Sequence, residues 1–309
     1  MDLSTGKPIE IADKKLFDEY FQKYPPETSE LTFTNLFMWR NYYNFLFLEY
    51  KAHIILFSRD FLKTRRKPIN SDSTGYIYFF PPIGSTPEKI IIDIFKEHMK
   101  AEVHRVPETV CEKLVKDEEF LKMELNYLED RNNWDYVYSR EEILNLTGNK
   151  YRQNRRWLNK FFENYDYDFQ LITGDLIEKC KELQLEWCIM RACTEDESLE
   201  AEQEAIYEAL NNFNKLGFSG GLICIEDKCV AYTFGEMLNE NTLVIHIEKA
   251  HAEYEGAYQA INNFFLKNCC VDAICVNREQ DLGIEGLRRA KESYKPIKMN
   301  KKRIIYKKV

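Results

Sequence analysis

At 309 residues, 44% apolar and 14% aromatic, the chain is long enough for two domains of ordinary size and too rich in apolar side chains to remain disordered. A net charge of −8 argues against a nucleic-acid-binding surface spread over the whole molecule. No apolar run approaches the roughly 20 residues of a membrane span and the N-terminus lacks a signal-peptide core, which predicts a soluble, cytoplasmic protein.

In chain order, the first half opens with helical patterns at 14–24 and 34–43, the second following a Pro-Pro break. Strands are predicted at 44–50 and 53–57, turning at Lys51-Ala52, and after a polar loop at 76–80. Pro87 starts a helix carrying Ile90, Ile91, Ile94 and Phe95, since proline is well tolerated in a first helical turn. A strand at 102–105, a short helix from Pro107 and strands at 124–129 and 134–138 finish this half. The second half begins with a basic helical segment, GNKYRQNRRWLNKFF (148–162), and a strand at 168–173. Helical patterns at 175–191 and 196–216 follow, the latter stopped by Gly217. Then come strands at 221–226, 229–236 and 242–247, with Asp227-Lys228 as the first connection. A helix at 254–267, a strand at 273–276, a helix through Gly286 with Ile284, Leu287, Ala290 and Tyr294 on its apolar stripe, and a strand at 302–307 complete the chain.

Nine cysteines, an odd number, fall without CxxC spacing or nearby histidines. That pattern predicts neither a disulfide framework nor a metal site, and it makes Cys188, Cys224 and Cys275 small core hydrophobes. From residue 278 onward there are 11 Lys and Arg against 4 Asp and Glu, a local +7. Lys301, Lys302, Lys307 and Lys308 read as solvated lysines on an edge strand.

A helix pair, an antiparallel meander, then helix, strand, helix, strand resembles the plan of a GNAT-type acyltransferase domain. The first half repeats part of that order. The expected fold class is therefore α/β (α+β): two tandem GNAT-like folds at 1–145 and 146–309, each a mixed, mostly antiparallel sheet flanked by helices. Four segments sharpen the resemblance: SELTFTNLFMWRNYY (29–43), YFFPPIG (78–84), LTGNKYRQNRRWLNKF (146–161) and NREQDLGIEGLRRAKESYKP (277–296). Through them the chain resembles the soluble relatives of the phosphatidylglycerol lysyltransferase C-terminal domain. The resemblance implies aminoacyl or acyl transfer, in the best-known members from charged tRNA to a lipid headgroup and in cousins to a peptidoglycan peptide. It also implies chemistry in the second domain.

Acyl transfer needs a nucleophile beside the acyl carbon, a base for its proton and donors for the oxyanion. No cofactor is required by that scheme. The reacting carbon is expected where strand 242–247 splays from strand 273–276, which gathers His246, Glu248, Lys249, Asn277, Arg278, Glu279 and Asp281. Glu248 is the candidate base, with a salt bridge to Arg278 or Lys249 as the competing reading. His246 reads as a core imidazole or as a catalyst, and Asp281 as a helix cap or a catalytic acid. Arg288 and Lys291, one turn apart, are placed to clamp a phosphate of an anionic small molecule or lipid headgroup. Tyr294 reads as a stacking partner or a core anchor. Lys150, Arg152, Arg155 and Arg156, interleaved with aromatics, suit the acceptor end of tRNA; the plain alternative is a helix with Trp157, Leu158 and Phe161 toward the core. An acyl-CoA donor is disfavoured, though Gly256 keeps it open, because Glu253 and Glu255 stand where a pyrophosphate loop carries cations and glycines. A non-catalytic anion-binding module on the same scaffold is the third reading.

Overall fold

The computed structural model describes residues 1–64, 66–69 and 75–308. The chain divides into two compact units, Met1–Trp134 together with the segment from Asn300 onward, and Asp135–Met299. The polar loop expected after residue 57 lies partly outside the described residues.

The first unit supplies strands β1 (Lys7–Pro8), β2 (Leu46–Tyr50), β3 (His53–Ser58), β4 (Ile77–Phe79), β5 (Ala101–Pro107) and β6 (Leu125–Glu129). The second contains β7 (Asp135–Ser139), β8 (Asp168–Leu171), β9 (Ser219–Ile225), β10 (Lys228–Asn239), β11 (Thr242–Ala250), β12 (Cys275–Asn277) and β13 (Lys298–Asn300), after which β14 (Lys302–Lys307) returns to the first sheet. The sheet orders are β1-β2-β3-β4-β5-β14-β6 and β13-β7-β12-β11-β10-β9-β8. Each contains one parallel pair, β4 with β5 and β11 with β12, amid antiparallel neighbours. A parallel pair needs a long crossover; helices Pro87–Glu97 and Ala257–Asn268 provide the two. Both units are thus mixed α/β with mostly antiparallel sheets, and the succession read from the first half is the one the second half shares.

Local chemistry explains most element boundaries. Lys51 and Ala52 both adopt left-handed φ, 48° and 56°, closing the β2–β3 hairpin with the twist such turns favour. The next such turn falls at Glu226 and Asp227, φ 49° and 65°, one residue before the expected Asp227-Lys228. Gly217, at φ 76°, stops the helical run as expected. Ile90, Ile91, Ile94 and Phe95 are buried in the first unit's core beside Phe57, Phe79, Val103 and Ile305.

Three expectations are corrected. The structural division falls at 134/135 and 299/300 rather than at 145/146. Its cause is pairing: the strand read as the end of the first half bonds to β12 (Asn277 opposite Val137, Cys275 opposite Ser139), while the last strand inserts between β5 and β6. Periodicity identifies a strand but not its neighbours. Cys188 is not a free core thiol but is joined to Cys193 in a disulfide, Cα–Cα 5.1 Å. Ala192, left-handed at φ 49°, turns the chain back so that the two sulfurs meet across a spacing outside the familiar motifs. Finally, β14 is no edge strand. Lys302 is fully buried and donates to both Glu30 oxygens at 2.6 and 2.7 Å.

Because Lys302→Ala would leave Glu30 buried without its ammonium, it should cost about 3–5 kcal/mol, read as a lower urea midpoint at unchanged slope. A loss below about 0.5 kcal/mol, the usual scale for surface changes, would return Lys302 to the solvated class.

Candidate functional site

Parallel pairing of β11 and β12 runs only over Thr242–Cys275, Leu243–Val276 and Val244–Asn277. Beyond Val244, β11 continues to Ala250 while β12 has ended, so the two strands part on the side where the charged turn 278–281 begins. That turn follows β7 for one further step, with Arg278 N donating to Tyr136 O and Tyr136 N to Glu279 O. A second irregularity marks the same place. Phe234 pairs with Ile247 but Gly235 with Ile245, so His246 is the extra residue of a bulge, a device that re-aims a side chain. The bulge needs Gly235, because a Cβ there would stand 2.1 Å from Val244 O.

Across the divergence, Glu248 is held on both oxygens. Arg278 Nη2 donates to Oε1 at 2.6 Å and Asn262 Nδ2 to Oε2 at 2.9 Å. Arg278 lies with its guanidinium carbon 4.7 Å from the Tyr294 ring centroid and 5.9 Å from that of Tyr138. Burial works against its charge, but the Glu248 carboxylate outweighs burial and raises its pKa. Its Nη1 is buried with no hydrogen-bond partner. A buried guanidinium donor left unused is costly and invites a ligand acceptor.

His246 lies between two carboxylates, Nδ1 2.9 Å from Glu279 and Nε2 3.0 Å from Glu236. Burial alone would lower its pKa; the hydrogen bonds to Glu236 and Glu279 reverse this and raise it to about 9. The ring is therefore an imidazolium tying β10 and β11 to the turn, and Glu279 is held at a left-handed φ of 56°.

Asp281 is fully buried and accepts from Tyr136 Oη at 2.7 Å, Gly283 N at 2.8 Å, and Arg288 Nε and Nη2 at 2.9 Å each. The helix Glu285–Ser293 begins three residues later on Ile284, so Asp281 organises the approach to that helix without capping it. The expected apolar stripe is not what seats the helix: Ile284 is 53% exposed, and of the four residues only Tyr294 is buried. Polar ties replace it, Arg288 to Asp281 and Tyr138 Oη to Lys291 O at 2.8 Å.

Lys291 Nζ donates to Arg278 O and lies 5.9 Å from the Tyr136 ring centroid. Burial first, and the Arg278 charge second, lower its pKa to about 8. Asn277, fully buried, donates to Asp135 at 3.0 Å and accepts from Glu279 N at 2.8 Å. Gln280 binds the other Asp135 oxygen at 2.9 Å.

His246, Glu248, Asn277, Arg278, Glu279, Asp281, Arg288, Lys291 and Tyr294 are thus brought to one region. Lys249 is not, for strand alternation sends it to the opposite face, onto Glu202 at 2.6 Å and the Trp187 ring at 3.6 Å. Of the basic helix, Arg155 is spent on the carbonyls of Leu146 and Gly148 and Lys150 on Glu142, while Arg152 and Arg156 are exposed. Leu158 and Phe161 are in the core, as the plain alternative had it. Glu255 is paired with Lys160, and Gly256 has a packing reason to be glycine: a Cβ there would lie 2.1 Å from Trp157 O. Sequence reasoning missed Asp135, Tyr136, Tyr138, Glu236 and Asn262. The alternation in DYVYS was the one available signal for the first three.

The sequence family described as phosphatidylglycerol lysyltransferase, C-terminal, matches residues 21–306. A crystal structure of a conserved protein of unknown function from Bacteroides thetaiotaomicron is 30% identical, covers 98% of this chain and 99% of its own, and superposes with a TM-score of 0.86. L-PGS from Bacillus licheniformis shares the fold at 12% identity, with 96% and 92% coverage and a TM-score of 0.64. An uncharacterised protein of Mycoplasmoides gallisepticum is 24% identical over 165 residues, and the chain spans about half of that relative's length, 52%. No helix among the described residues is long and apolar enough to cross a membrane.

The imidazolium clamp has a pH signature. With a folded pKa of about 9 against the ordinary 6.5, its stabilisation is complete below pH 6.5 and is lost as pH rises through 9. Urea midpoints measured across that window should fall in the wild type and fall less in His246→Gln; equal slopes would show that His246 contributes no such clamp.

Proposed function

The chain belongs to the phosphatidylglycerol lysyltransferase C-terminal family, and we propose that it transfers an aminoacyl group from aminoacyl-tRNA to an amine or hydroxyl acceptor in the cleft of its second unit. The observation carrying this reading is the opening between β11 and β12, spanned by Glu248 and Arg278, with the Arg278 Nη1 donor unpartnered and Lys291 beside it. Family membership supplies the reaction class, and the cleft supplies what that class requires.

In this scheme the acyl carbonyl enters where β11 loses its neighbour. Backbone N–H groups that β11 turns toward the gap, together with Arg278 Nη1 and the Lys291 ammonium, face the oxygen on which charge develops. Glu248 holds Arg278 in place. With both oxygens engaged it acts as a base only by releasing Asn262 or Arg278 when the acceptor arrives. Lys291 and Arg288, if freed from Arg278 O and Asp281, reach the acceptor's anionic group; a lipid headgroup or a peptide carboxylate both meet that description. Arg152 and Arg156 are the exposed cations suited to the tRNA backbone. The acyl-CoA reading loses its remaining support, since Gly256 is accounted for by the Trp157 carbonyl.

Incubation with tRNA charged with radiolabelled amino acids, over a panel of amine and hydroxyl acceptors, tests the proposal; absence of both transfer and salt-sensitive binding to charged tRNA would refute it. Below pH 8 Lys291 is a cation and above it is not, so the charge it lends to transfer should fade as pH rises through about 8. Lys291→Arg should carry activity to higher pH relative to wild type, and Lys291→Met should lower the rate at pH 7 by about a hundredfold or more. A profile identical in wild type and Lys291→Arg would remove Lys291 from the charge-stabilising role.

A further inference from the structure

A cavity of about 340 Å³ opens beside the N-terminal end of the helix Ala257–Asn268, lined by Trp187, Met190, Arg191, Ala250, Ala252 and Tyr258. None of these residues belongs to the cluster described above. The two places are nevertheless neighbours: Tyr258 stands one helical turn, about 6 Å along the axis, before Asn262, which holds Glu248, and Tyr258 feels the Glu248 charge.

The lining has a definite chemistry. Both faces of Trp187 are occupied by cations, with Lys249 Nζ 3.6 Å and the Arg191 guanidinium carbon 5.5 Å from the ring centroid. Its indole N–H is spent on Tyr258 Oη at 3.3 Å. Tyr258 is pinned by that bond at its hydroxyl end yet 36% exposed, and Met190 beside it is 47% exposed. A fixed aromatic ring and a soft thioether border the same hollow and make an apolar slot for a flat ring. Lys249 has its charge matched by Glu202 at 2.6 Å, whereas exposed Arg191 has no ion pair among the described residues. The rim therefore carries one uncompensated guanidinium, the group suited to a phosphate. The disulfide Cys188–Cys193 brackets Met190 and Arg191 and fixes the end of the helix that presents them.

We propose that this cavity binds a nucleoside phosphate at the end of the acyl donor, its base against Tyr258 and Met190 and its phosphate on Arg191. This rests on the transferase reading for its biological setting but not for its binding chemistry. Two donors end in that group, the 3′-terminal adenosine of an aminoacyl-tRNA and the adenylate of an acyl-CoA. In either, a base seated here leaves the acyl ester about one helical turn away, at the strand divergence.

The test is calorimetric titration of the full chain with AMP, with ribose 5-phosphate as the control lacking a base. AMP should bind and ribose 5-phosphate should bind at least fivefold more weakly, about the lower bound of what one stacked base contributes. Tyr258→Ala should weaken AMP binding about fivefold or more, while Tyr258→Phe, which loses the same bond to Trp187 but keeps the ring, should bind as wild type does. Arg191→Ala, at an exposed position, should weaken binding and flatten its salt dependence. Equal affinity for ribose 5-phosphate, or AMP affinities unmoved in both Tyr258→Ala and Arg191→Ala, would overturn the proposal. Displacement of AMP by a short RNA ending in CCA, or instead by acetyl-CoA, supports the site and names its source; displacement by neither defeats it. If transfer from aminoacyl-tRNA is never seen but AMP binding depends on Tyr258 and Arg191, the pocket stands without the transferase reading. If transfer is seen and proceeds unchanged in both variants, the transferase stands and the pocket falls.

Discussion

The strand β12 is three residues long, and everything at the candidate site follows from where it stops. A parallel neighbour that ended flush with β11 would satisfy the backbone of both and leave no opening. Instead β11 runs on alone from Ile245 to Ala250, and the space β12 vacates is taken by side chains. A carboxylate and a guanidinium span it, which fixes the separation of the two elements more firmly than apolar contacts would, since a buried ion pair tolerates little change in geometry. The same stop forces the chain into left-handed conformations at Glu279, Leu282 and Gly283. Those conformations persist because Asp281, Asn277 and His246 bind the turn from three directions.

Two of the site's charges are displaced from their ordinary behaviour in opposite senses, and for different reasons. His246 is buried, yet two carboxylates flank it, so pairing wins over desolvation and the ring stays charged. Lys291 is buried beside a second cation, so desolvation and repulsion act together and its charge is easily lost near neutral pH. One is suited to holding a shape. The other is suited to responding to what enters the cleft.

Much of this was legible in the sequence because it is local. The hairpin at Lys51-Ala52, the proline-started helix at Pro87, the stop at Gly217 and the final strand Lys302–Lys307 all follow from nearest-neighbour chemistry, and the charged turn after Val276 announces itself by composition. The neighbours of each strand did not follow, because pairing partners lie far apart in the chain. Nothing near Tyr136 says that its hydroxyl will meet Asp281, and nothing near Lys302 says that Glu30 awaits it. The bulge that re-aims His246 was hidden for the same reason: it exists only in the register between β10 and β11. Gly256 illustrates the converse error, a residue whose presence invited a ligand explanation and whose cause is a carbonyl on another helix.

The interchange of strands has a consequence for how such a chain is made. The first sheet lacks an interior member until β14 has been synthesised, some way after the whole of Asp135–Met299 has left the ribosome, and the second sheet begins with a strand delivered before any of its partners exist. Neither half can be closed in the order in which it is translated. A nascent first half must hold β5 and β6 apart with raw edges exposed, which makes the interval before termination, rather than the mature protein, the period of greatest exposure to misassembly.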